Sequence, residues 1–200
     1  MISISVIVPT CGRMTLTRAL ASVRDQLSDH DEVLVVGDGR QPSAERAVAR
    51  LDDPRFRYFE HGPTGFLGNA QRNFAADRAT GQVLVFLDDD DVLAATALAD
   101  VRRAWDETPG RPMMFRIQFH DPPVLKWREP TLADENISGG SFVIPNLSER
   151  MARWPEPPEL GDDFADRKFI LDTLKLWPAD ALVWREEILY HVPKARLNAP

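Results

Sequence analysis

Two hydrophobic periods alternate along the first half of the chain. Ile4–Val8 is an unbroken apolar run, after which Leu16, Leu20, Val23 and Leu27 return at the three-to-four-residue spacing of one helix face. Val33–Val36 is a second apolar run. Ala44, Val48 and Leu51 predict a second helix, with Ser43 as its cap, ahead of a strand around Phe56–Phe59. A third helix is expected from about Phe66 to Ala79, closed at Gly81, and Val83–Leu87 reads as the next strand. Strand and helix alternating in this way is the pattern of βαβ units, so an α/β fold with a mostly parallel sheet flanked by helices is expected.

The second half is less regular. It holds an expected strand at Met113–Phe119, a proline-bearing loop over 121–130, an apolar piece at Ser141–Ile144, a helix at Phe169–Leu176 and strand-like composition over Ala181–Val192. No repeat or linker divides it from the first half. A single domain over residues 1–200 is expected, with 1–110 as one functional half and 111–200 as the other.

The stretch LVFLDDDDVL, residues 84–93, sets four aspartates where an apolar strand ends. Carboxylates this close repel one another at neutral pH unless some take up protons or a cation sits among them. One of them could cap a following helix, Ala94–Trp105, but a cap uses one carboxylate and leaves three. Strand ends of open parallel sheets are where ligands bind, and an oxygen-only acidic cluster suits Mg²⁺ or Mn²⁺.

Composition narrows the classes. A hydrophobic fraction of 44% with 28% charged residues is that of a soluble globular protein. The net charge of −7 disfavours a nucleic-acid acceptor or an anionic membrane surface. Cys11 is the single cysteine, so no internal disulfide is expected. No apolar run approaches the roughly 20 residues of a membrane span, and the apolar N-terminus lacks a leading basic region; a cytoplasmic protein is expected.

Three other strand ends carry polar chemistry. VIVPTCGR, residues 6–13, breaks at Pro9 into a turn holding Thr10 and Arg13 that is able to bind a ligand. VVGDGR, residues 35–40, places Asp38 between two glycines, where it could accept hydrogen bonds from a base or a ribose or bond its own backbone. GNAQRN, residues 68–73, puts Arg72 early in a helix, where it could reach a diphosphate or balance the aspartates.

In this order and on successive strand ends, these four pieces resemble the nucleotide-binding half of family 2 glycosyltransferases with the GT-A fold. The resemblance covers about the first 110 residues. It implies a nucleotide-sugar donor, most often a UDP-sugar, held by Pro9, Thr10, Arg13, Asp38, Arg72, Asp88 and Asp89. The family's metal motif falls on Asp88, Asp90 and Asp91, with Asp89 as the spacer, and implies Mn²⁺ or Mg²⁺. The family's base, which takes the proton of an acceptor hydroxyl in an inverting transfer, falls in ELGDDF on Asp163, with Asp162 as the alternative. A late histidine, here His191, completes the metal shell in related enzymes. Cys11 and Gly12 replace the aromatic and asparagine common in the first turn. Trp154, Trp177 and Trp184 are candidates for an acceptor platform or for the core. The resemblance names neither sugar nor acceptor. The other readings are a non-catalytic sugar-nucleotide binding module, a metal-dependent nucleotidyltransferase, which the missing glycine-rich, lysine-bearing loop disfavours, and a two-carboxylate hydrolase.

Overall fold

The computed structural model describes residues 1–65, 67–120, 122–133, 136–156 and 165–193. In chain order the elements are β1 (Ile4–Thr10), α1 (Leu16–Arg24), β2 (Glu32–Asp38), α2 (Pro42–Ala49), β3 (Phe56–His61), α3 (Asn69–Ala76), β4 (Val83–Phe86), β5 (Val92–Leu93), α4 (Ala97–Glu107), β6 (Met113–His120), β7 (Pro123–Lys126), β8 (Phe142–Pro145), α5 (Ala165–Leu174) and β9 (Val183–Val192). The strands form one sheet in the order β3-β2-β1-β4-β8-β6-β9-β5, with β7 attached to β6.

The first four strands are all parallel, as the βαβ pattern implies. The near-continuous apolar runs of β1, β2 and β4 follow from burial on both faces, whereas β3 at the sheet edge is more polar and more exposed. Val6, Val33, Val35, Val83 and Val85 point to the side packed by Leu20 of α1, Val48 of α2 and Leu98 of α4. Ile7, Leu34, Val36, Leu84 and Phe86 point to the other, against Ala75 of α3 and Phe169 of α5. Beyond β4 the sheet becomes mixed: β8 runs antiparallel to β4 and β6, β5 antiparallel to β9, and only β6 with β9 is parallel. β1 lies between β2 and β4, so the strand order reverses there and a crevice opens beyond the carboxyl ends of β1 and β4.

Several local expectations are corrected. Ser43 does not cap α2; its hydroxyl donates to the carbonyl of Gly12 at 3.0 Å, tying the helix to the first turn, while Pro42 opens the helix. α3 is shorter than expected and starts after Gly68, whose φ of +77° and contact with Pro9 require a glycine. Gly81 does not close that helix. It lies so near β1 that a Cβ would stand 2.6 Å from the Ser5 amide nitrogen. α4 starts only at Ala97, with Thr96 in the cap position, so none of the four aspartates caps it.

On the outer side of the second half, Arg103 of α4 and Arg185 of β9 both donate to Glu187, at 2.8 and 3.0 Å. Partial burial pushes the Glu187 carboxyl up, but these hydrogen bonds outweigh it and hold its pKa at about 2. A depressed carboxylate stabilises the fold above its unfolded pKa, near 4.5, and that contribution is lost as pH falls from there toward about 2. Glu187→Gln is therefore expected to cost about 1 kcal/mol at pH 7, the shift being discounted for solvent screening at a partly exposed group. Urea titrations at pH 7 and pH 2.5 check this; a difference that persists undiminished at the lower pH would refute it.

Candidate active site

The crevice holds a cavity of about 290 Å³, lined by Pro9, Thr10, Arg13, Asp38, Arg72, Asp88 and Asp89 together with Cys11, Gly65, Leu67 and Gly68. Every residue that the sequence assigns to the nucleotide sugar thus reaches one space. β1 delivers Pro9 and Thr10, β2 delivers Asp38, α3 delivers Arg72, and the turn after β4 delivers the aspartates.

The four aspartates divide into two roles. Asp88, Asp90 and Asp91 each offer an oxygen to a group whose atoms lie within 4.8 Å of one another. These are three of the four positions expected to hold metal. All donors are hard carboxylate oxygens and two of the residues are buried, which fits Mg²⁺ or Mn²⁺ and gives no preference for softer ions. Asp89 turns the other way. It accepts the Thr10 hydroxyl at 2.6 Å and Arg13 at 3.1 Å, so it fixes the first turn against the acidic turn. Burial raises its pKa; Thr10 and Arg13 oppose the rise, and Asp90 and Asp88 add to it.

Cations frame the cluster. Arg13 also donates to Asp90 at 3.0 Å, and Arg18 of α1 donates to the Asp90 carbonyl at 3.1 Å. Arg72 is buried, donating to Asp88 at 2.5 Å, to the Leu67 carbonyl at 2.7 Å and to the Asn69 side chain at 3.1 Å. Its guanidinium lies 4.6 Å from the Trp154 ring. Of the two roles the sequence leaves open, balancing an aspartate is the one these contacts display.

Asp38 sits at the far end of the cavity. It accepts the amides of Thr64 and Gly65 at 2.6 and 2.9 Å and the Gln71 side chain at 2.8 Å. It therefore pins Thr64 and Gly65, the second of which lines the cavity. Gln71 stands beside Arg72 in the GNAQRN stretch, but a buried glutamine in a helix has no local signature.

His191 is placed beside His120, its Nδ1 3.0 Å from the His120 Nε2, and the three-acid group does not include it. Burial, and then His120, lowers the His191 pKa. The residue that does approach the acids is its neighbour Tyr190, which the sequence reading missed. It is fully enclosed, its hydroxyl lies 3.3 Å from the Ser138 hydroxyl, and burial followed by Asp91 and Asp88 holds its pKa well above the usual range, so it stays a neutral phenol there. Trp154 is no acceptor platform. It is 2% exposed and stacks on Phe169, with ring centroids 4.1 Å apart, and Asn73 holds its backbone from both sides. Trp177 is buried as well, whereas Trp184 is partly exposed. Asp162 and Asp163 lie outside the described residues. No helix among the described residues is long and apolar enough to cross a membrane.

The same fold occurs in S. aureus TarS. Its 1–349 fragment in complex with UDP-GlcNAc aligns with a TM-score of 0.79 at 20% identity, covering 96% of this chain and 58% of that one. Its complex with UDP gives 0.79 at 19% identity, covering 96% and 60%. Over 112 residues the chain is 34% identical to the GalNAc(5)-diNAcBac-PP-undecaprenol beta-1,3-glucosyltransferase of Campylobacter jejuni, a stretch covering 52% of this chain and 35% of that protein. Over 181 residues it is 27% identical to an uncharacterized glycosyltransferase of Nostoc sp., covering 85% and 51%. The chain thus spans between a third and about half of the length of these curated relatives. The model of glycosyl transferase family 2 matches residues 5–166, a span that takes in the whole crevice and its acidic turn, and the chain belongs to that family.

Proposed function

We propose that the chain transfers a sugar, with inversion, from a UDP-sugar to an acceptor hydroxyl, using Mn²⁺ or Mg²⁺. The observation that carries the reading is the cavity at the strand-order reversal that Thr10, Arg13, Asp38 and Arg72 line together with Asp88, which is itself one of three grouped carboxylates. UDP-GlcNAc and UDP are both bound by S. aureus TarS, a protein of the same fold, which supports a uridine donor. Asp38 and the loop it pins would hold the nucleoside end, with Arg13 and Arg72 near the diphosphate. Asp88, Asp90 and Asp91 would hold the cation; His191, turned to His120, is left out of the set. The bound cation supplies Lewis-acid stabilisation of the leaving diphosphate.

In the transfer, the acceptor oxygen gives its proton to Asp163, or to Asp162, and bonds to the anomeric carbon from the face opposite the leaving group. The bond from that carbon to the diphosphate oxygen breaks, and its electron pair leaves with UDP. Arg72 is already locked in place by three protein acceptors, so little rearrangement is needed to bring positive charge to the oxygens where negative charge grows.

Calorimetric titration of the chain with UDP, GDP, dTDP and CDP, with and without Mn²⁺, tests this. UDP is expected to bind, at least tenfold more tightly with the metal than without it. A folded chain that binds no nucleoside diphosphate under either condition would end the glycosyltransferase reading of this crevice.

A further inference from the structure

A second cavity, of about 320 Å³, adjoins the first across the Arg72–Asp88 pair, and both residues line both spaces. Its size is that of a small-molecule site. Lys126 of β7 and Arg167 of α5 stand in its wall with Arg72, against the carboxylates of Asp88 and Asp166. Among the described residues the wall thus carries three cations and two carboxylates, in a chain whose net charge is −7.

Both carboxylates are engaged. Asp88 is bonded to Arg72, and one oxygen of Asp166 accepts the Ser138 hydroxyl at 3.1 Å and the Gly139 amide at 2.8 Å. Lys126 differs. β7 hangs on β6 alone among the described strands, with Lys126 opposite Ile117, so that its ammonium lies 5.3 Å from the Phe119 ring. No carboxylate among the described residues forms an ion pair with it. An ammonium held over an aromatic face, in the wall of a cavity that guanidinium groups also line, is a site for a compact anion, and Lys meets phosphate as a point charge. A neutral sugar would leave that charge without a counterpart.

Resting on the glycosyltransferase reading, we infer that this cavity receives the acceptor, and that the acceptor carries a phosphate close to its reactive hydroxyl, bound by Lys126 and Arg167. The phosphate could belong to a soluble sugar phosphate or to a lipid-linked one; the chemistry is shared.

The test uses the full chain preloaded with UDP and Mn²⁺, which blocks the first cavity, and repeats each titration without them. The probes are glucose 1-phosphate, methyl glucoside, and phosphatidylcholine vesicles with and without a lipid-linked sugar phosphate. At least one phosphate probe is expected to bind tenfold or more tightly than its neutral counterpart. Lys126→Ala should erase that preference and Lys126→Arg should keep it, with UDP affinity and melting temperature unchanged in both variants. Binding only of the soluble probe, or only of the lipid-borne one, supports the inference and names the source. Equal binding of charged and neutral probes, binding of neither phosphate, or a preference that survives Lys126→Ala overturns it. Failure of UDP to bind in the preloading step is a separate result that removes the donor reading, and the titrations without UDP still decide whether the cavity takes phosphate.

Discussion

Asp91→Asn is expected to lower transfer by about a thousandfold while leaving the metal-free chain at least as stable as the parent. The two effects have one cause. Asp91 is 1% exposed and shares a small space with Asp88, paired with Arg72, and Asp90, paired with Arg13, so without a bound cation its carboxylate adds like-charge repulsion to that space. Asparagine keeps the shape and removes one of those charges, which relieves repulsion in the metal-free protein. With donor present the same change removes a ligand where charge develops on the leaving diphosphate, and the loss of about 4 kcal/mol of such stabilisation corresponds to about a thousandfold in rate. Melting curves give a readout independent of turnover. Mn²⁺ should raise the melting temperature of the parent, since a ligand at about 100 times its Kd adds about 2.7 kcal/mol, and should raise that of the variant much less. A variant with the parent's full Mn²⁺-dependent stabilisation would show that the acidic turn holds no metal.

The first half of the fold was legible because its signals are local. β1, β2 and β4 are apolar runs, α1 and α2 each show one apolar face, and both are read within a dozen residues. In the mixed second half the elements themselves were legible, since Met113–His120, Phe142–Pro145, Ala165–Leu174 and Val183–Val192 fall on the expected strands and helix, but their pairing was not. Phe142–Pro145 enters the sheet between β4 and β6 through pairings that span dozens of residues, and β5 is only two residues long; neither leaves a periodicity to read. Ser43 was misread for a related reason. Its place before a helical pattern fits a cap, but in the folded chain the Gly12 carbonyl, distant in sequence, takes its hydroxyl.

The site divides in the same way. Asp88, Asp90 and Asp91 stood out because repulsion among adjacent carboxylates is a property of the sequence itself. Asp89 was read as the spacer of the metal motif and as part of the donor site; its bonding to Thr10 and Arg13 stayed hidden because they lie more than seventy residues away. Tyr190 was hidden beside the more conspicuous His191. Alternation along a strand sends neighbouring side chains to opposite faces, and here the phenol faces the acids while the imidazole faces His120. Asp166 and Lys126 belong to α5 and β7, whose approach to Asp88 only the tertiary structure creates.

Asp163→Asn is expected to cost a hundredfold to ten-thousandfold in transfer, the range a positioned general base supplies, with UDP and Mn²⁺ affinity unchanged. Asp163 lies outside the described residues, but the chain leaves it two residues before α5 begins, and Asp166 at the start of that helix stands in the wall shared with Asp88. The asparagine keeps the volume and hydrogen-bonding shape of the acid and removes its ability to take a proton, so the loss should fall on kcat and not on donor affinity. Asp162→Asn is the discriminating control: if Asp163 is the base, this change leaves kcat within about tenfold of the parent, a margin of about 1.4 kcal/mol. Two variants with equal, small losses would remove both aspartates from the chemistry. A large loss at Asp162 alone would move the base by one residue. Slow hydrolysis of the UDP-sugar by water, followed in the same variants, separates the proton-taking role from donor positioning: a variant that lost only the base still holds the donor, and its UDP-sugar titration stays that of the parent.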